Sequence, residues 1–302
     1  MFESVFLNRG LSLDRLKTMV EVHHSGSIAS VAEGDPTRAS LYSRQLKELS
    51  EFFGSELTER KGRTISLTRE GIFLAQLSYE FFLQIEDFLA ECQNDNVEYS
   101  ICAGDSLVQW LIMPRIAAIV DSVPKVRLNT ESLSTRGIVE KVTNDPTVLG
   151  LVRETAPIPG LRHSTLGRLS YCLVVPHSLL AGKSKPTPAD IFENYPIALQ
   201  LSTGEYTTTL MTIATQLAPT FRPALGCQSL TQVLAAVRSR RFAAVLPEIS
   251  LPDLPSNIFL VVPSEELATL QRDIRLVWNP RMASIRPHAI ELIEACTRTF
   301  KL

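Results

Sequence analysis

The stretch GSIASVAEGDPTRASLYSRQLKELSEFFG, residues 26–54, decides how the N-terminal part of this chain folds. Ser25-Gly26-Ser27 ends one helix and caps the next, because glycine tolerates the left-handed turn at a helix end and a serine hydroxyl can accept from an exposed amide at a helix start. The helix that follows is very short, 28–33, since Gly34-Asp35-Pro36 turns the chain at once. Asp35 is placed as the N-cap of a third helix, about 36–53, and Pro36 as its first residue, where a missing N–H costs nothing. Leu41, Leu46, Leu49 and Phe53 are expected to face inward from it, and Gly54 to end it.

Upstream, Leu13, Leu16, Met19 and Val20 recur at three- and four-residue spacing, the stripe of an amphipathic helix. Downstream, residues 57–68 form two short alternating segments about a Lys61-Gly62 corner, which reads as a small hairpin. Thr68 and Gly71 then open a long helix, about 69–94. On it Leu74, Phe81 and Phe88 lie seven residues apart, interleaved with Leu77, Ile85 and Leu89. Such a repeat suits packing on a second copy of the same helix; the other reading is one amphipathic helix covering its own domain. Two short helices, a capped third and a basic hairpin make the layout of a winged helix-turn-helix, whose third helix enters the major groove of DNA.

From residue 97 the grammar changes to alternating strands and helices. Strands are expected at 99–103, 126–129, 148–153, 170–176, 196–201, 243–247 and 274–278, with helices at 107–120 and 136–143 between the first of them. The alternation implies parallel strands with helices on both faces, and such sheets bind ligands at the carboxyl ends of their strands.

With 30 basic and 32 acidic residues the chain carries −2, which excludes a protein that coats nucleic acid or a membrane through bulk positive charge. The balance is uneven. Residues 1–95 hold 10 basic and 15 acidic residues (net −5), yet residues 36–69 hold seven basic against four acidic (net +3), on the third helix and the hairpin. The 302-residue length suits about two domains, and 45% apolar with 21% charged residues is globular composition. No apolar run approaches the roughly 18 residues that span a bilayer, and residues 1–15 lack a basic segment followed by an apolar core, so neither a membrane protein nor a secretory signal is expected. Cys92, Cys102, Cys172, Cys227 and Cys296 are odd in number, widely spaced and without C-x-x-C. They read as buried small hydrophobes of a cytoplasmic protein.

Taken in order, these pieces resemble the LysR-type family of bacterial transcription regulators over essentially the whole chain. Gly26-Ser27-Ile28 through Ser43-Arg44-Gln45-Leu46, Leu49 and Gly54 is similar to the family's helix-turn-helix pattern, and residues 57–71 to its wing. The resemblance implies a winged helix-turn-helix at 1–71, a linker and dimerisation helix at 72–95 and an effector-binding domain at 96–302. The last would be periplasmic-binding-protein-like: two α/β subdomains joined by two crossover strands, with a small molecule between them. It places Arg38, Ser40, Ser43, Arg44 and Lys47 of the third helix, and Arg60, Lys61 and Arg63 of the wing, at double-stranded DNA. Arg38 would reach a guanine, and Arg44, Arg60 and Arg63 phosphate. Leu74, Leu77, Phe81, Ile85 and Phe88 would pair two copies in a homodimer, or a homotetramer through further pairing. The chain departs from the family pattern in three places: Asp35 stands where leucine is usual, Arg38-Ala39-Ser40 where Ser-Gln-Pro is usual, and Thr58 where phenylalanine is usual. The core stripe survives these changes, while the groove-facing positions are altered.

For the effector cleft, Gly104-Asp105-Ser106, Ser134-Thr135, Ser202-Thr203-Gly204 and Gln228-Ser229 each sit at a strand-to-helix turn, where backbone N–H groups point outward. The resemblance puts effector contacts at Ser106, Thr135 and Thr203, with Gly104, Asp105, Ser134, Ser202 and Gln228 beside them; the alternative is that these side chains merely cap their own helices. A carboxylate at Asp105 would occupy amides that an anionic effector needs, so the effector is expected to carry an amine rather than to be a simple dicarboxylate. Enzyme chemistry finds no H-E-x-x-H, G-x-S-x-G or phosphate-cradling loop, and the five histidines have no metal spacing, so no catalytic residue, metal or cofactor is expected. A solute-binding protein and a regulator acting through a protein partner are the remaining alternatives.

Overall fold

A computed structural model describes residues 3–6, 10–61, 64–180, 186–202 and 204–302, and divides into two compact units, residues 1–95 and 96–302. The expected contacts Arg63 and Thr203, and the Gly62 corner, lie outside the described residues, as does the side chain of Lys61.

In the first unit a short α1 (Glu3–Phe6) precedes α2 (Leu13–Ser25), α3 (Ile28–Ala32) and α4 (Pro36–Phe53). Strands β1 (Thr58–Lys61) and β2 (Thr64–Leu67) pair antiparallel, and α5 (Arg69–Gln93) follows. This is a helix-turn-helix with a β-hairpin wing. Its boundaries are set by local capping. The Ser27 hydroxyl accepts from Ser30 N–H at 3.1 Å, and Asp35 Oδ1 accepts from Thr37 N–H at 2.8 Å and Arg38 N–H at 3.3 Å. Gly26 and Gly54 end their helices at φ 78° and 63°, conformations a Cβ would strain. The core gathers Met19, Val22, Ile28, Leu46, Leu49, Leu57, Leu67 and Ala75. Burying each large side chain contributes about 1.5–3 kcal/mol.

The inward stripes differ from expectation at their ends. Leu41 and Phe53 of α4 are 42% and 44% exposed, and Leu13 of α2 is 57% exposed. Helix α4 touches the core along Leu46 and Leu49, one turn apart, and Leu41 falls to one side of that stripe. Val22, rather than Val20, completes the α2 stripe.

The second unit contains β3 (Val97–Ala103), α6 (Asp105–Leu107), α7 (Ile116–Ser122), β4 (Val126–Ser132), α8 (Thr135–Asn144), β5 (Val148–Arg153) and β6 (Arg162–Leu169), then β7 (Tyr171–Pro176), α9 (Pro188–Asn194) and β8 (Ala198–Gln200). After them come α10 (Glu205–Leu217), β9 (Leu225–Cys227), α11 (Leu230–Arg238), β10 (Ala244–Pro247), β11 (Phe259–Val262), β12 (Arg272–Trp278), α12 (Met282–Ile285) and α13 (Ala289–Thr299). One sheet has the order β4-β3-β5-β12-β6, and a second has β10-β7-β11. The parallel pair β8–β9 joins the second sheet through a bridge between Ile197 and Ala243. The chain crosses between sheets twice, after Leu169 and before Arg272, which yields two α/β subdomains. Each has its own core, around Ile101, Leu149 and Leu276 in the first and Leu173, Leu210 and Val245 in the second.

The sheets are mixed rather than parallel: β12 runs antiparallel to both β5 and β6, and β7 antiparallel to β10 and β11, because the crossover strands bring the chain back in the reverse direction. The single helix expected at 107–120 is broken into α6, a π-turn at Val108–Ile112, a 3-10 turn at Met113–Arg115 and α7, since Pro114 lacks the N–H that a continuous helix requires. Strands β6 and β11 were not expected, while β9 ends just before the Gln228-Ser229 turn, as expected. Strand β6 lies at a sheet edge and buries only Leu166 and Leu169, so its apolar signal is thin.

Candidate functional site

Two regions bring chemistry-bearing residues together, one in each unit. The first is the outer face of α4. Capping by Asp35 fixes the first turn and places Thr37, Ser40, Leu41 and Arg44 on one exposed stripe, with Arg38 and Lys47 flanking it. Ser43 is half-buried. The Arg38 guanidinium donates to Tyr42 Oη at 3.4 Å and pairs with Glu33 at 3.3 Å, lying 5.9 Å from the Tyr42 ring centre. These partners, Tyr42 first, raise its already high pKa, so it is a permanent cation held against the helix. Arg44 and Lys47 form loose i,i+4 pairs with Glu48 and Glu51, both at 3.7 Å, and remain 71% and 77% exposed. Exposed ion pairs of this kind contribute little, so the cations are free to exchange partners. Arg60 is exposed on β1. Tight packing holds the wing to the helix behind it: a Cβ on Gly71 would sit 2.1 Å from the Leu57 carbonyl oxygen.

Helix α5 buries Ala75, Ser78 and Leu83 on one side. Along the same helix Phe73, Leu77, Phe81, Ile85, Phe88 and Leu89 are exposed, Phe88 by 64%, while Leu74 is half-buried against the core.

The second region is a cavity of about 150 Å³ where the two subdomains meet. Gly104 and Ser106 reach it from the start of α6, Thr135 from the start of α8 and Arg153 from the end of β5, while Tyr171 and Arg272 come from the crossover strands. Leu107, Ile138, Leu151, Val152, Leu169 and Ile274 supply its apolar wall. The hydroxyls of Ser106, Thr135 and Tyr171 make no hydrogen bond within the chain among the described residues. Burial pushes the Tyr171 phenol up to about 12, against the pull of Arg272 and Arg153, so it stays a neutral donor. Arg272 also donates to the Thr269 and Gln271 carbonyls, at 2.8 and 2.7 Å. Glu205, the first residue of α10, is bonded to both Arg153 and Arg272.

Of the effector contacts expected from sequence, Gly104, Ser106 and Thr135 line this cavity. Ser134 caps α8 by accepting from Gly137 N–H, and Ser202 is tied to Thr207 at 2.9 Å. The Gln228 N–H is taken by the Gln232 side chain and its carbonyl by Gln200. Asp105 lies outside the lining and accepts from the Thr231 hydroxyl at 2.7 Å, a bond between the subdomains, rather than from the amides of its own helix. A second link runs from Trp110 Nε1 to Asp253 Oδ2 at 3.0 Å, with Trp110 embedded in the core of the second subdomain. Sequence reading missed Arg153, Tyr171, Glu205 and Arg272. Arg153, a charge ending the apolar run of β5 at its carboxyl end, carried a usable signal.

Among the described residues no cluster of side chains is suited to a metal ion, and no helix is long and apolar enough to cross a membrane. Cys102, Cys172, Cys227 and Cys296 are buried; Cys92, expected to be buried with them, is exposed.

Residues 13–72 match the family model described as bacterial regulatory helix-turn-helix protein, lysR family, and residues 94–301 match the LysR substrate binding domain. The HTH-type transcriptional regulator MetR of Salmonella typhimurium is 28% identical over 185 residues, 60% of this chain; the match spans 58% of that relative's length. ArgP from Mycobacterium tuberculosis superposes with a TM-score of 0.65 at 16% identity, over 94% of this chain and 96% of that one. Full-length CbnR in complex with its target DNA superposes at 0.52 and 16% identity, over 96% and 100%. The two solved structures bear on the fold, and the two family models between them cover both units: the chain belongs to the LysR family of transcriptional regulators.

Proposed function

We propose that this protein is a sequence-specific DNA-binding transcriptional regulator of the cytoplasm, controlled by a small molecule bound between its α/β subdomains, and that it works by binding rather than by catalysis. Residues 1–71 form the DNA-binding domain, 72–95 the dimerisation helix and 96–302 the effector domain. The observation that carries the reading is the outer face of α4, an Asp35-capped helix whose exposed stripe mixes cations, hydroxyls and one leucine. Arg38 and Ser40 read base edges, and Leu41 meets a thymine methyl. Ser43, Arg44 and Lys47, with Arg60, Lys61 and Arg63 of the wing, hold phosphate and set the register without reading sequence. CbnR has been solved on its target DNA, which supports the same docking here.

Dimerisation follows from the exposed stripe of α5. Leu77, Phe81, Ile85 and Phe88, with Leu74 at its edge, pair two chains and set two reading helices on a two-fold site, with half-sites about one DNA turn apart. Gly104, Ser106 and Thr135 contact the effector directly, and Thr203 is proposed as a further contact; Asp105, Ser134, Ser202 and Gln228 shape the surrounding turns. Footprinting on the DNA upstream of the protein's own gene tests the assignment. Protection of a two-fold site is expected, weakening steeply as salt rises. Absence of protection at every salt concentration below about 0.1 M would overturn it.

A further inference from the structure

Among the described residues, the cavity between the subdomains carries more positive charge than its neighbours neutralise. Arg153 and Arg272 both line it, and both are bonded to the single carboxylate of Glu205, Arg272 Nη2 at 3.1 Å. The three groups differ in origin and in freedom. Arg153 ends β5 of the first subdomain, Arg272 begins the returning crossover strand, and Glu205 opens α10 of the second subdomain. The Arg272 side chain is 14% exposed and fixed by two backbone carbonyls, whereas Glu205 is 45% exposed, with room to swing into solvent. Beside the arginines stands the Tyr171 hydroxyl, a neutral donor without a partner among the described residues, and the wall behind is apolar.

We propose that Glu205 is an internal competitor for the effector: its carboxylate occupies the Arg153–Arg272 pair in the ligand-free protein and is displaced by the carboxylate of a small monoanion with a short apolar body. The inference rests on reading this cavity as the effector site. Planar guanidinium forks suit a carboxylate, and charge-assisted bonds of this type are about twice as strong as neutral ones. The volume of about 150 Å³ corresponds to about five water molecules at roughly 30 Å³ each, room for an acid of about six heavy atoms. An amine entering the same space meets two cations whose one counter-charge is already shared, which replaces the amine-bearing effector expected from Asp105. Exchange of one carboxylate for the other also cuts the tie from α10 to β5 and β12, so the ligand distinguishes the closed subdomain arrangement from a looser one. That difference is what a ligand needs in order to shift a conformational equilibrium.

Calorimetric titration of the full-length chain with butyrate tests the proposal, with butylamine and butanol as cationic and neutral counterparts one heavy atom smaller. Butyrate is expected to bind, the other two not to bind over the same concentration range, and Glu205→Gln to tighten butyrate about tenfold or more. Arg272→Gln is expected to abolish binding, its melting curve reporting whether the variant is folded. Butyrate binding no tighter in Glu205→Gln than in the unsubstituted chain, binding by neither, or equal binding of butylamine would each overturn the proposal. Footprinting of the same two proteins separates the layers. DNA protection without the Glu205 effect refutes the competitor alone, and the Glu205 effect without DNA protection refutes the regulator reading alone.

Discussion

Replacing Gly71 by alanine sets two backbone effects of opposite sign against each other. Gly71 is the third residue of α5, in ordinary helical conformation, where alanine would normally stabilise by about 0.5–1 kcal/mol because glycine loses more chain entropy on folding. Against this, the new Cβ would lie 2.1 Å from the Leu57 carbonyl oxygen and 3.2 Å from Leu67 Cβ. The carbonyl has little freedom to retreat. It accepts from Thr68 N–H at 3.1 Å, and Leu57 and Leu67 are 3% and 6% exposed members of the core. Relief requires the wing to move outward by about an ångström, an overpacking cost of about 1–3 kcal/mol, together with about 1 kcal/mol for the strained hydrogen bond. The steric effect wins, leaving a net loss of about 2 kcal/mol. For a unit of 95 residues each kcal/mol is worth about 4–8 °C, so its melting temperature should fall by about 8–16 °C. Calorimetry on the full chain, with hydrogen exchange to assign the transitions, measures this. The loss should be confined to the N-terminal unit. An unchanged or raised melting temperature would refute the reasoning, since it would mean the wing is free to shift and the helix gains from alanine.

Asp35→Ala removes the acceptor for two amides at the start of α4 and should cost about 1 kcal/mol while weakening DNA binding, with Asp35→Ser restoring most of both; stability unchanged by the alanine would show that the cap is idle. Aspartate at both Phe81 and Phe88, 44% and 64% exposed, should convert the proposed dimer to monomers in sedimentation without lowering helicity, and an unaltered mass would move the dimer contact elsewhere. Burial pushes the thiols of Cys102 up to about 11, of Cys172 and Cys296 up to about 12, and raises that of Cys227, so a thiol reagent at pH 8 should label one equivalent quickly, at Cys92, and four only on unfolding. Two or more fast equivalents would contradict that burial. Burial, with the charge of His24 adding to it, holds His23 below the ordinary imidazole value. As pH falls through about 6.5 the unfolded chain therefore takes up a proton that the folded one resists, and stability falls. The N-terminal unit should melt lower at pH 5.5 than at pH 7.5, and His23→Gln should shrink the difference; an undiminished slope would assign it to other groups.

Where helices begin and end in the first unit could be read without the structure. Ser27 and Asp35 act on amides two or three residues away, and Gly26 and Gly54 act through their own backbone angles, so the whole cause lies within one turn of chain. The same holds for Thr68, whose hydroxyl accepts from Gly71 N–H at 3.1 Å. Facing was less legible. Leu41 and Phe53 fit an apolar pattern yet point outward, because the width of the buried stripe depends on what α2 and the wing place opposite it. Only tertiary structure decided the cavity between the subdomains. Residues 153, 171, 205 and 272 are separated by up to 119 positions and meet because the chain crosses between two sheets, which turned an expected parallel arrangement into a mixed one. Capping is local chemistry and is written in neighbouring residues. The pairing of one carboxylate with two distant arginines is a property of the assembled sheets, and no window of sequence contains it.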